Sequence, residues 1–210
     1  MKIGLNICLI LLLYQVSNAS EVNNINAIDE AQIRWAKCQY EMANQPAQEA
    51  CFIHEIDFLS ARSNKNMSDE MSVMLAVNYA SLAGVYGGSK GLSLAREAKD
   101  RLEPIVQNTP NVLKGAALVT LGALYYRVPS WPISFGDDKK AGRYLAKAYD
   151  LDSKNLTTNY FYADYLVETG DKHRAIAILE SVIVQQTSPE SSVMVRGRIN
   201  DIKELLSKIK

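Results

Sequence analysis

Residues 156–186 read LTTNYFYADYLVETGDKHRAIAILESVIVQQ, and this stretch decides the fold. Tyr162, Ala163 and Leu166 precede Gly170, and Ala175, Leu179 and Val182 follow it, so small and apolar side chains return every three or four positions. That spacing marks an amphipathic helix, whereas a half-buried strand alternates every second residue. Gly170 then Asp171 is the punctuation between two helices: a residue free to turn left-handed, then one whose side chain can cap the next N-terminus. The stretch predicts helices over 156–169 and 171–186, antiparallel about Gly170.

The same order of residues recurs upstream. Leu121-Gly122 and Tyr125 precede Ala141, Leu145 and Ala148, while Leu82-Ala83 and Tyr86 precede Ala98, Leu102 and Ile105. Ala148 and Ala163 stand fifteen residues apart, the phase of a repeat about 34 residues long. Over Met71 to Gln186 the pattern resembles the tetratricopeptide repeat, most closely in its last copy. Insertions at Gly87 to Gly91 and Val128 to Gly136 depart from it. The resemblance implies an all-α fold of antiparallel helix pairs, stacked as a right-handed solenoid with a C-terminal capping helix, and a groove lined by the first helix of each pair. Carried onto this chain, groove positions are Thr157, Tyr160, Asp164, Val167 and Glu168 in the last pair, and Val119, Ala123, Tyr126 and Arg127 in the one before. The implied ligand is a peptide or protein segment. Eleven tyrosines against four phenylalanines suit such a surface, although Tyr125, Tyr160 and Tyr162 can equally serve packing.

Tyr86-Gly87-Gly88 with Gly91, then Leu121-Gly122 and Phe135-Gly136-Asp137 before Lys140-Ala141, are also similar to the helical T-component of tripartite periplasmic transporters. That likeness implies an oligomeric accessory that binds or passes a small solute.

Helix signals continue outside the repeats. Asp29 with Gln32 reads as a capping box, Pro46 as the start of a second helix, and Ser68 as the cap of a third that runs to Tyr86. Further helices are expected over Gly91–Gln107, Val112–Arg127 and Asp138–Asp150. Ser188-Pro189 reads as the start of the last helix, with Ile199, Ile202, Leu205, Leu206 and Ile209 on one stripe and Arg198, Asp201, Lys203, Glu204 and Lys208 turned to water. The whole reads as one domain over 20–210 with about nine helices.

Residues 1–19 carry Lys2, an apolar run from Ile3 to Tyr14 and small residues at Ser17-Asn18-Ala19, the make-up of a secretory signal. The run is shorter than the roughly 20 residues that span a bilayer, and no other stretch reads as a membrane span. Cys8 falls inside it. The remaining Cys38 and Cys51 flank Asn44-Gln45-Pro46 on opposite arms of a helical hairpin, and a periplasmic or secreted location favours their pairing. The alternative is two free buried thiols; the spacing matches no zinc pattern. Twenty-three basic residues balance twenty-three acidic ones, so a nucleic-acid partner is not expected.

The stretch from Val128 to Gly136 is the most individual in the chain. Pro129 and Pro132 forbid a helix, and Trp131 and Phe135 are large apolar residues in a loop. Either they plug the groove or they contact a ligand. Gly87-Gly88-Ser89-Lys90-Gly91 formally matches a hydrolase nucleophile elbow, but a helix rather than a strand precedes it, and His54 and His173 have no companion pattern. Asp137-Asp138 sits where a helix cap belongs. The reading is a noncatalytic scaffold without cofactor or metal, with Tyr126, Arg127, Trp131, Phe135, Tyr160, Asp164 and Glu168 as binding candidates.

Overall fold

A computed structural model describes residues 27–62, 67–185 and 192–210. The expected signal segment, Cys8 and Ser188-Pro189 lie outside the described residues. Those described form nine α-helices: α1 (27–40), α2 (Gln45–Ala61), α3 (Asp69–Tyr86), α4 (Gly88–Asn108), α5 (Ala116–Arg127), α6 (Asp138–Leu151), α7 (Leu156–Glu168), α8 (Lys172–Val184) and α9 (Val193–Ile209). Among them there is no strand. The chain is all-α, with helices packed in adjacent antiparallel pairs: α3 on α4, α5 on α6 and α7 on α8 make the most extensive contacts.

Local chemistry sets most boundaries. Asn44 caps α2, its Oδ1 accepting from Ala47 N at 3.0 Å, and Pro46 follows in the first turn, where its missing N–H has no partner to lose. The Ser68 hydroxyl accepts from Met71 N at 3.3 Å and starts α3. Gly170, at φ +94°, turns the chain from α7 into α8.

Four boundaries differ from expectation. Asp29 lies inside α1, because Ala27 and Ile28 already belong to the helix and Ile28 is buried. Helix α4 begins at Gly88, not Gly91; a Cβ on Gly91 would stand 2.6 Å from the Ala83 carbonyl oxygen, so this glycine serves close approach of α4 to α3. The stretch before α5 is a short 3-10 turn, Val112–Gly115, in which Leu113 and Lys114 are left-handed. Leu113 packs against both apolar clusters of the protein, and that burial offsets its backbone cost. Helix α9 is capped by Ser192, whose hydroxyl accepts from Val195 N.

The repeat positions form the core. Ala98, Leu102, Leu121, Ala141, Leu145, Ala148, Ala163, Ala175, Leu179 and Val182 are all fully buried. Small residues set helix spacing: a Cβ on Gly122 would stand 2.7 Å from Leu145 Cγ, so α5 and α6 lie as close as they do only with glycine there. A second cluster, including Trp35, Phe52, Leu59 and Leu75, holds α1 and α2 to α3. Cys38 and Cys51 join α1 to α2 as a disulfide with a Cα separation of 5.4 Å.

Helix α9 links the two clusters. Val193 and Met194 pack against the N-terminal cluster, while Ile202 is fully buried in the main one. Arg198, expected in water, is 5% exposed. It is buried because α1 reaches α9 at this point, a contact between chain ends that helix periodicity does not register. No described helix is long and apolar enough to cross a membrane.

Candidate functional site

Four of the residues singled out from the sequence converge on one side of the molecule. Tyr126 and Arg127 end α5, and Asp164 is on α7, the next first helix. The Tyr126 hydroxyl donates to Asp164 Oδ2 at 2.6 Å, and Arg127 Nη2 donates to the same oxygen at 2.6 Å. Arg127 Nε also donates to the Tyr126 hydroxyl oxygen at 3.1 Å, closing a triangle of three side chains. Tyr160 lies one turn before Asp164. Burial raises its phenol above the usual tyrosine range, with the Asp164 carboxylate next in effect. Tyr126 is raised further, again by burial first. For Arg127 burial works to lower the pKa, but the surrounding Tyr126 and Asp164 oxygens prevail and keep it raised.

A second polar cluster meets the first across Phe161. The Arg127 guanidinium stands 5.0 Å from the centre of the Phe161 ring, and the Arg198 guanidinium of α9 also stands 5.0 Å from it. Arg198 lies 4.7 Å from the Tyr160 ring centre and donates through Nη1 to Asp201 Oδ2 at 3.0 Å. The Tyr40 hydroxyl of α1 donates to that same Asp201 oxygen at 2.9 Å. Guanidinium groups over aromatic faces, each held by a carboxylate, thus join α5, α7, α9 and α1.

Beside these clusters a cleft of about 410 Å³ opens between α7 and α9. Tyr160, Asp164, Val167 and Glu168 form one wall and Asp201, Glu204, Leu205, Lys208 and Ile209 the other, with Lys172 at the rim. Its lining thus combines apolar side chains with carboxylates and ammonium groups. Val119 and Ala123, expected along an open groove, are instead 3% and 7% exposed. They belong to the core because α5 packs against α3 and α7, its neighbouring first helices, as well as against α4 and α6. Tyr125 and Tyr162 are buried packing residues, unlike half-buried Tyr160.

The Val128 to Gly136 loop divides the roles of its aromatics. Phe135 packs inward: its ring meets Tyr125 edge-on at 5.6 Å. Gly136 N donates to Pro129 O at 3.0 Å and Asp137 N to Tyr125 O at 2.8 Å, which fixes the base of the loop. Trp131 and Ile133 stand at its tip, 86% and 65% exposed. The tip lies towards α4, where Arg96 Nη2 donates to Ile133 O at 3.4 Å. Trp131 therefore belongs to a surface beside α4, apart from the Asp164 cluster, and Phe135 to the packing beneath it on Tyr125.

The other chemical candidates assemble no site. Ser89 is exposed in the first turn of α4. Asp137 caps α6, accepting from Lys140 N at 3.0 Å, and His54 and His173 are both exposed. Among the described residues no three His, Cys, Asp or Glu side chains converge as a metal site.

Tyr40, Phe161 and Arg198 were not among the residues singled out for binding. Gly197 carried the available signal for the last: a glycine inside an amphipathic helix costs about 1 kcal/mol relative to alanine and asks for a close neighbour. No family model matches this sequence, and no curated protein matches it.

Proposed function

We propose that this chain is an exported, noncatalytic scaffold of tetratricopeptide type that holds a peptide or protein segment on its inner face. The observation that carries this reading is the convergence of Tyr126, Arg127, Tyr160 and Asp164, from successive first helices, beside the cleft that Glu168 lines. A rigid frame bearing aromatic rings with polar ends is the chemistry of segment recognition. The exposed tip of the α5–α6 loop supplies a second contact, with Trp131 as its anchor, on a loop whose base Phe135 packs against Tyr125. Export agrees with the Cys38–Cys51 disulfide, since such bonds persist in oxidising compartments.

The test is recovery of partners from a cell-envelope extract by the mature, oxidised protein, alongside Tyr160→Ala and Trp131→Ala. The scaffold reading expects a protein that is retained by the parent and lost from at least one variant at unchanged fold. Recovery of none, or recovery indifferent to both substitutions, counts against it.

The second reading is a transport accessory of T-component type. The volume of about 410 Å³ falls within the range of small-molecule sites, which favours a solute as the ligand. A ring-shaped assembly in sedimentation and mass measurements, with solute bound and no protein partner, would select it.

A further inference from the structure

The inner face already has an occupant, and it is a segment of this chain. Helix α9 lies along α7 and reaches α1. Gly197 stands against Tyr40, where a Cβ would come within 2.3 Å of the ring. Arg198 enters between Tyr160 and Phe161, Asp201 bonds both Arg198 and the Tyr40 hydroxyl, and Ile202 is fully buried beneath them. Leu205, Leu206 and Ile209 continue the apolar stripe. What this face accepts is therefore visible: an amphipathic helix with a small residue, then Arg, then Asp three positions beyond the Arg and an aliphatic residue next.

The seat is imperfect in two respects. Arg198 Nε is buried without a hydrogen-bond acceptor, an arrangement that folded proteins keep rare. On the Glu168 side a cleft of about 410 Å³ opens between α9 and α7, so their contact is not filled along its whole length. A helix held through an under-satisfied charge beside an open cleft belongs to the low-stability end of a fold, from which displaceable elements are drawn.

The geometry points to α9 as an intramolecular stand-in for a partner's helix: the segment recognised is an amphipathic α-helix bearing small-Arg-x-x-Asp-aliphatic, and it docks by displacing α9. This deepens the scaffold reading and rests on it. Helix-in-groove recognition supplies the mode, and the competition is a population shift between docked and released α9. The contrasting case is a partner that uses only the Trp131 tip and leaves α9 seated.

The experiment uses the full chain and a labelled synthetic peptide of residues 192–210 as probe. In Gly197→Val the added side chain meets the Tyr40 ring and unseats the resident α9, so this chain should bind the peptide at least tenfold more tightly than the parent. A peptide carrying Arg198→Ala should lose at least tenfold in affinity for the variant. Equal affinity of parent and variant, with the variant keeping its helicity and a cooperative melt, overturns the proposal. Hydrogen exchange of the parent chain decides the matter independently should Gly197→Val not fold. Amides of α9 should open at least a hundredfold more often than those of α5; identical rates in both helices would overturn displacement. A partner that cross-links to the protein while α9 keeps its full protection would end this inference and leave the scaffold reading standing.

Discussion

The ring of Tyr40 occupies the place that a side chain on Gly197 would need: a Cβ there would lie 2.3 Å from Tyr40 Cγ. The first and last described helices thus touch at a point that admits only glycine. Substitution to valine forces either the ring or α9 to move, and overpacking of this kind costs about 1–3 kcal/mol. Urea unfolding of Gly197→Val should register that loss, while Gly84→Ala, at a helix position with no atom near the added Cβ, should leave stability unchanged or raise it.

Asp164 accepts from both Tyr126 and Arg127 through one oxygen, so these residues act as a unit. A double-mutant cycle of Tyr126→Phe and Arg127→Ala should give a coupling energy of about 0.5–3 kcal/mol, the range for contacting groups in one network. The same cycle with Tyr126 and Arg143, on the exposed face of α6, should give none.

The Cys38–Cys51 bond closes a loop of thirteen residues' separation around the turn at Asn44. Reduction should lower stability by roughly 3 kcal/mol in the chain-entropy account. Thermal melts with and without reductant measure this, and the Cys38→Ala/Cys51→Ala chain should ignore the reductant.

Glu103 carries the acid sensitivity of the α4–α5 contact. Burial works to raise its pKa, but hydrogen bonds from Tyr125 and Lys99 outweigh burial and hold it below the ordinary value of 4.5. A carboxyl whose folded pKa is depressed contributes stability that is complete above the unfolded value and is lost as pH falls through the folded one. Stability curves should therefore decline below about pH 4.5. Tyr125→Phe should make that decline shallower, because it removes the donor at 2.7 Å.

Why the helix pairs could be read in advance is clear from Ala148 and Ala163. Their burial follows from periodicity within one helix and phase between neighbours, both written in the local sequence, and both are fully buried. Tyr126, Arg127 and Asp164 came from the same register and do meet. Arg198 did not follow, because its burial depends on Tyr40, whose partner Asp201 lies 161 positions away. The loop aromatics show another limit: composition makes Trp131 and Phe135 equally costly to expose, and only the presence of Tyr125 beside one of them decides which packs inward. Leu113, left-handed without a glycine to favour it, is held by packing against both apolar clusters, which no turn signal announces; exposed Lys114 shares the conformation.

The claim on which the functional account turns is that a protein segment docks on the α7 face that carries Tyr160, Asp164 and Glu168. A photo-cross-linking amino acid at Glu168, on the cleft wall, measures this directly, with Lys203 on the exposed side of α9 as control. The account predicts a discrete protein adduct from position 168 that Tyr160→Ala abolishes, and none from position 203. Equal adducts from both positions, or no adduct from 168 in a correctly folded protein, would contradict it.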